Sequence, residues 1–258
     1  MIREGLGLNL FSIRNYLDSE EHFEQALVDL KAMGYSYVQF SGAPFNAPMI
    51  KRVSEKVGMP VVLTHVPMDR ILNDTEALMD EHESFGCKNI GLGMMPLEAM
   101  QDEQKCRDTI AALNEAGKKM AARGFKFFYH HHHFEFFKFG DKSVFDMLME
   151  AEYINFTLDT YWIQYGGNDV VDTIKKLKGR IECVHFKDYM IAINAEGKGF
   201  EPRFAPVGDG NINFAAALEA AREAGAKYFL VEQDNAAVLP DTLAQVERSV
   251  RYVDKNLK

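Results

Sequence analysis

The sequence predicts a single α/β domain over residues 1–258, a closed (β/α)8 barrel. Three observations predict it. Short apolar or β-branched runs recur eight times, most lead into a longer stretch with helical spacing and charged faces, and five crossings end on a glycine just ahead of the next run. In order, a strand at 5–11 leads to a helix at 20–33 stopped by Gly34, one at 36–40 to a helix at 47–57 stopped by Gly58, and one at 60–65 to a helix at 74–85 stopped by Gly86. The strand at 89–93 precedes a helix at 102–123 ended by Gly124; strands at 126–130, 154–159 and 181–186 precede helices at 144–149, 170–177 and 214–224, the last ended by Gly225. A strand at 228–232 and a helix at 239–256 complete the set. A doubly wound open sheet is the alternative, and a helix packing after the eighth strand favours closure. No proline-rich linker divides the chain, and its one long irregular connection is 189–212, after the seventh strand.

Composition narrows the partners. With 47% hydrophobic and 26% charged residues the chain has the make-up of a globular protein. A formal net charge of −9 repels polyphosphate backbones and anionic bilayers, so neither nucleic acid nor a membrane is an expected partner. Cys87, Cys106 and Cys183 are odd in number and form no CxxC pair, which argues against a disulfide framework or a thiolate zinc site and fits a reducing cytoplasm. Residues 1–12 carry an early Arg3 and Glu4 and do not read as a signal peptide, and no apolar run approaches the roughly 20 residues needed to span a bilayer.

In a barrel of this kind the reactive groups stand where strands end. Strand three ends in Thr64-His65, strand five in the run His130-His131-His132-His133 followed by Phe134-Glu135, and strand six in Asp159. Strand seven ends in His185-Phe186-Lys187-Asp188 and strand eight in Glu232-Gln233-Asp234. Apolar residues just before each make an unpaired charge there costly, and a divalent metal is the natural partner. Mixed carboxylate and imidazole donors suit manganese, zinc, iron or cobalt, with magnesium further down the order; manganese is the expected cofactor. Each residue also has a plainer reading. Asp159 can cap the next helix, His185 can be a satisfied core histidine, and Glu232 can pair with a lysine. Three such groups at neighbouring strand ends strengthen the metal reading together. Because side chains alternate along a strand, either His130 and His132 or His131 and His133 face the site.

Five segments then stand in a telling order: Tyr-His-His-His-His-Phe-Glu-Phe at 129–136, Leu-Asp-Thr-Tyr-Trp-Ile at 158–163, Val-His-Phe-Lys-Asp at 184–188, Pro-Val-Gly-Asp-Gly-Asn-Ile-Asn-Phe at 206–214 and Val-Glu-Gln-Asp at 231–234. From first strand to last helix the chain resembles the xylose isomerase-like TIM-barrel superfamily of sugar isomerases and epimerases, which also holds inosose dehydratases and an endonuclease branch. Its first segment is similar to the His-Asn-His and Phe-Glu-Phe motif of one sugar phosphate isomerase/epimerase subgroup. The resemblance implies a metal held by a glutamate after strand five, an aspartate after strand six, a histidine after strand seven and a glutamate after strand eight. The last three map onto Asp159, His185 and Glu232. For the first, Glu135 is the nearest carboxylate and the expected fourth ligand, with His130 and His132 as proton carriers or substitute ligands.

The implied activity is isomerisation or epimerisation of a small ketose or keto-sugar derivative. A metal stabilises the enediolate by several kcal/mol, and Glu232 with Glu135, His132 or His130 moves the proton α to the carbonyl. Dehydration of an inosose or 3-keto-glycoside is the alternative, since an imidazole near neutrality is a good acid for a departing hydroxyl. His65, Trp162, Lys187 and Arg203 are the expected substrate-binding residues, although Lys187 can instead pair with Asp188, Trp162 can serve rim packing with Tyr161, and Arg203 can be a solvated loop charge. Gly208 and Gly210 do not form a nucleotide loop. A metal-dependent endonuclease and a non-catalytic sugar-binding barrel are the rival classes, and an apolar helical face makes a homo-oligomer an expected assembly.

Overall fold

Eight parallel strands pair in chain order and the last returns to the first, closing the barrel. They are β1 Gly7–Asn9, β2 Tyr37–Phe40, β3 Val61–His65, β4 Asn89–Leu92, β5 Lys126–His130, β6 Ile154–Asp159, β7 Cys183–Phe186 and β8 Tyr228–Val231. The computed structural model describes residues 2–258; Met1, included in the expected domain and N-terminal stretch, lies outside the described residues. Among the described residues no helix is long and apolar enough to cross a membrane.

The local signals act as the sequence expects. The helix Ala47–Val57 starts where the Asn46 side chain accepts from the Met49 N–H at 3.1 Å and stops at left-handed Gly58. All five expected cap glycines take positive φ. The helices cover the outside of the barrel with one large apolar cluster, while Tyr37, Val62, Leu63, Phe128, Cys183 and Leu230, from five strands, form a second cluster that plugs the interior. Alternation along the strands then puts Gln39, His65, His130, His185 and Glu232 two residues beyond Tyr37, Leu63, Phe128, Cys183 and Leu230. The plug is thus the floor of a polar layer.

Several boundaries differ from expectation for physical reasons. Strand one ends early because the Asn9 side chain accepts from the Phe11 N–H and starts the 3-10 helix Leu10–Tyr16. The helix expected at 74–85 is two, Met68–Asn73 and Thr75–Ser84, and an additional helix, Thr160–Tyr165, follows strand six. The connection 189–212 is not irregular throughout. It contains an antiparallel hairpin, Asp188–Ile193 with Phe200–Ala205. Its inner rung, Tyr189 and Phe204, packs on Tyr161, while Ile191, Ile193 and Phe200 stay exposed, so its apolar alternation serves no core. Buried Asp188 ties the hairpin down by accepting the N–H groups of Tyr189, Gly208, Gly210 and Ile212.

The plug tolerates no extra carbon at Gly7, where a Cβ would lie 2.3 Å from the Tyr37 ring and 2.8 Å from Leu230. Tyr37 is held in turn, its hydroxyl donating to Gly5 O and accepting from the Phe229 N–H. Gly7→Ala is therefore expected to lower stability by about 1–3 kcal/mol, as overpacking does. Urea denaturation measures it, and an unchanged midpoint would show that the plug yields freely.

Candidate metal centre

The register sets Asp159 beside His185 across β6 and β7 and brings Glu232 just past the Val231–Phe186 pair of β8 and β7. With His130 at the end of β5, these side chains offer four ligand atoms that all lie within 4.8 Å of one another, and all four residues are buried. Each is aimed by a second contact. His130 Nδ1–H donates to Gly93 O at 3.1 Å, turning Nε2 toward Asp159 Oδ2 at 3.4 Å. His185 Nε2–H donates to Gln39 Oε1 at 2.7 Å, turning Nδ1 inward. Asp159 Oδ1 accepts from the Trp162 N–H, and Glu232 Oε1 accepts from Asn9 Nδ2 at 2.6 Å, which leaves Oδ2 and Oε2 for the centre. Asp159 thus caps a helix with one oxygen and serves the cluster with the other. Anchoring the far nitrogen or oxygen of every ligand is how metal sites fix tautomer and orientation.

Lys187 completes the charge pattern. Its buried ammonium lies 3.1 Å from Glu232 Oε2, 3.3 Å from Asp159 Oδ2 and 2.7 Å from Asp234 Oδ1. Burial alone would raise Asp159 and Glu232, but Lys187 and the facing histidines hold both below the usual carboxylate range. Burial would lower Lys187, and the three carboxylates instead hold it above its ordinary value. Burial also pulls on His185, yet Glu232 and Asp159 carry it up to about 9.

The donor set fits a divalent ion. His185 Nδ1 is buried without an aligned hydrogen-bond partner, although Glu232 Oε2 is only 2.9 Å away. A ring nitrogen facing two carboxylate oxygens, with its tautomer set from behind, is an arrangement for a positive charge, a proton or a metal ion in its place. Two imidazoles and two carboxylates would hold it, and an ion entering displaces the proton that the carboxylates retain on His185.

The cluster opens into a cavity of about 320 Å³ with His65, His130, His132, Lys187, Glu232 and Asp234 on its polar side and Phe11 and Met94 among its apolar walls. His65 and His132 line it with ring nitrogens that have no hydrogen-bond partner, and burial pushes both below the ordinary histidine range, so both rings are neutral. Gly91 makes room for His65: a Cβ there would lie 2.9 Å from the ring and 2.5 Å from Thr64 O.

Other expected site residues fall elsewhere. Of the histidine run, His130 and His132 face the cavity, whereas His131 turns back, accepting from the Asp159 N–H at 3.2 Å, and His133 stacks on Trp162. Glu135 does not reach the cluster. The chain leaves β5 through the 3-10 turn Phe134–Phe136, and the buried carboxylate takes the Tyr129 hydroxyl and the His132 N–H, each at 2.7 Å, so His130 stands where Glu135 was expected. Arg203 sits on the hairpin, bonded to Glu201 at 2.8 Å, outside the cavity. Trp162 is not among the cavity-lining residues; its ring lies against His132, His133 and the Lys187 ammonium. Lys187 pairs with Asp234 rather than with its neighbour Asp188. Asn9 and Gln39, which aim Glu232 and His185, were missed; their signal is a polar residue inside an otherwise apolar strand.

A model of the xylose isomerase-like TIM-barrel family matches residues 27–255. The chain belongs to that family. Its fold is shared with a sugar phosphate isomerase/epimerase from Parabacteroides distasonis ATCC 8503, at TM-score 0.80 and 18% identity over 98% of this chain and 94% of that one. It is shared too with the probable 3-DHS dehydratase of Bacillus anthracis, at TM-score 0.70 and 13% identity over 98% and 100% of the two chains. A xylose isomerase-like TIM-barrel protein from Mycobacterium smegmatis in complex with magnesium matches at TM-score 0.70 and 13% identity over 99% and 98%. At these identities the likeness establishes the fold. No curated protein matches the chain by sequence.

Burial drives the Glu135 carboxyl up to about 7 despite its two donors. A carboxyl raised in the folded state stabilises below its unfolded value near 4.5 and loses that contribution as pH rises through about 7, roughly 3 kcal/mol in all. Glu135→Gln is expected to flatten the stability profile between pH 4.5 and 7. Urea midpoints across that range check it, and an unaltered slope contradicts it.

Proposed function

We propose that this protein is a metal-dependent sugar isomerase or epimerase that abstracts the proton α to the carbonyl of a ketose or keto-sugar derivative. The observation that carries the reading is the orphaned His185 Nδ1 among His130, Asp159 and Glu232, a donor set aimed at one point beside a sugar-sized cavity. A divalent ion there, manganese first for a mixed nitrogen and oxygen set, would supply Lewis-acid stabilisation of the charge developing on the carbonyl oxygen.

The chain's own groups do the rest. Glu232, whose Oε2 would hold the ion, takes a proton on Oε1 beside the Asn9 amide, and His132 offers a neutral ring with a free Nδ1. Either group, once it holds the α-proton, can return it to the neighbouring carbon for isomerisation; for epimerisation the other first takes a proton from solvent and delivers it to the same carbon from the opposite side. Lys187, kept charged by three carboxylates, hydrogen-bonds substrate oxygen, and His65 orients a hydroxyl. Phe11 and Met94 exclude water from the reacting carbons.

The test is solvent-deuterium exchange into ketoses by NMR with manganese present. Exchange is expected in the native protein, to fall at least 10²-fold in Glu232→Gln, and to fall about 10²- to 10⁴-fold in His132→Phe, the range for a lost acid or base. Chelation should abolish it. Exchange that survives in Glu232→Gln contradicts the assignment, and sugar binding with no exchange in the native protein leaves a sugar-binding barrel.

A further inference from the structure

We infer, resting on the reading of this cavity as a sugar site, that its substrate is an uncharged sugar without a phosphate group. The cavity wall carries no arginine among the described residues, and its only lysine is Lys187. That ammonium lies 3.3, 3.1 and 2.7 Å from Asp159, Glu232 and Asp234, and Asp234, which is no part of the metal cluster, keeps it paired when an ion takes the other two. Neither Arg14 nor Arg203 lines the wall. Arg203 is bonded to Glu201 on the outer hairpin, and Arg14 directs Nη1 to the carbonyls of Phe11 and Asp234.

The charge count decides the point. Two buried carboxylates, the half-buried Asp234 and one ammonium leave the cavity with a formal charge of −2, and a doubly charged ion held by neutral histidines brings it to zero. A phosphate monoester near pH 7 carries between one and two negative charges and three acceptor oxygens. Phosphate sites meet these with arginine forks, lysines or the free N–H groups of a helix start. The helix that begins at this site, Thr160–Tyr165, has its Trp162 N–H already bonded to Asp159 Oδ1. What the wall does offer are hydroxyl-scale partners: Ser41, the unpartnered ring nitrogens of His65 and His132, and Asp234. These match a polyol, whose groups both donate and accept.

The experiment presents the manganese-loaded protein in D2O with D-fructose, D-tagatose and L-ribulose, each beside the same ketose carrying a terminal phosphate. NMR reads saturation transfer from protein to sugar, which reports binding, and loss of the α-proton signal, which reports catalysis. At least one free ketose is expected to bind at least tenfold more tightly than its phosphate ester and to lose its α-proton. An ester that binds as well as its parent overturns the uncharged-substrate inference, and if its α-proton exchanges, the proposed reaction survives. Preferential binding of free ketoses with no exchange anywhere upholds the substrate class and removes the reaction. Failure of all three free ketoses to bind overturns the inference.

Discussion

Asp159, His185, Lys187 and Glu232 are buried against one another, and each alone would bear a desolvation cost of several kcal/mol. The site exists because their charges alternate closely enough to offset that cost. Asn9 and Gln39 occupy the outward-facing atoms of Glu232 and His185, the Trp162 N–H that of Asp159, and Gly93 O that of the neighbouring His130. Asp234 keeps Lys187 from belonging wholly to the two ligand carboxylates. An ion entering the centre would take over the task that the ammonium and the proton on His185 perform without it.

The barrel makes such a cluster with few rules. Two-residue alternation sets an apolar plug one step below a polar layer, so the same strands that bury Tyr37, Leu63, Phe128, Cys183 and Leu230 present Gln39, His65, His130, His185 and Glu232. An apolar residue in the upper layer would leave its neighbours' hydrogen bonds unmade.

This logic explains what could be read from the sequence. Strand ends, glycine stops and Asp159, His185 and Glu232 are local features, visible as an apolar run that halts on a polar residue. Long-range contacts are not. The Asn9–Glu232 bond spans 223 positions and the Gln39–His185 bond 146, and neither leaves a mark near its partner. Glu135 misleads for a related reason: its distance along the chain suits a ligand, but the turn after β5 sends the carboxylate to Tyr129, which also accepts from the Met95 N–H and so joins two loops. The hairpin 188–205 was hidden because its outer residues are apolar without being buried.

The central claim is that these buried charges are a metal site with His130 as its strand-five ligand. Anomalous diffraction from crystals soaked in manganese tests it most directly. The account predicts one peak within bonding distance of His130 Nε2, Asp159 Oδ2, His185 Nδ1 and Glu232 Oε2, with Glu135 still on Tyr129. A peak coordinated by Glu135, or Lys187 keeping its place between Asp159 and Glu232 with no peak in the cluster, would contradict it.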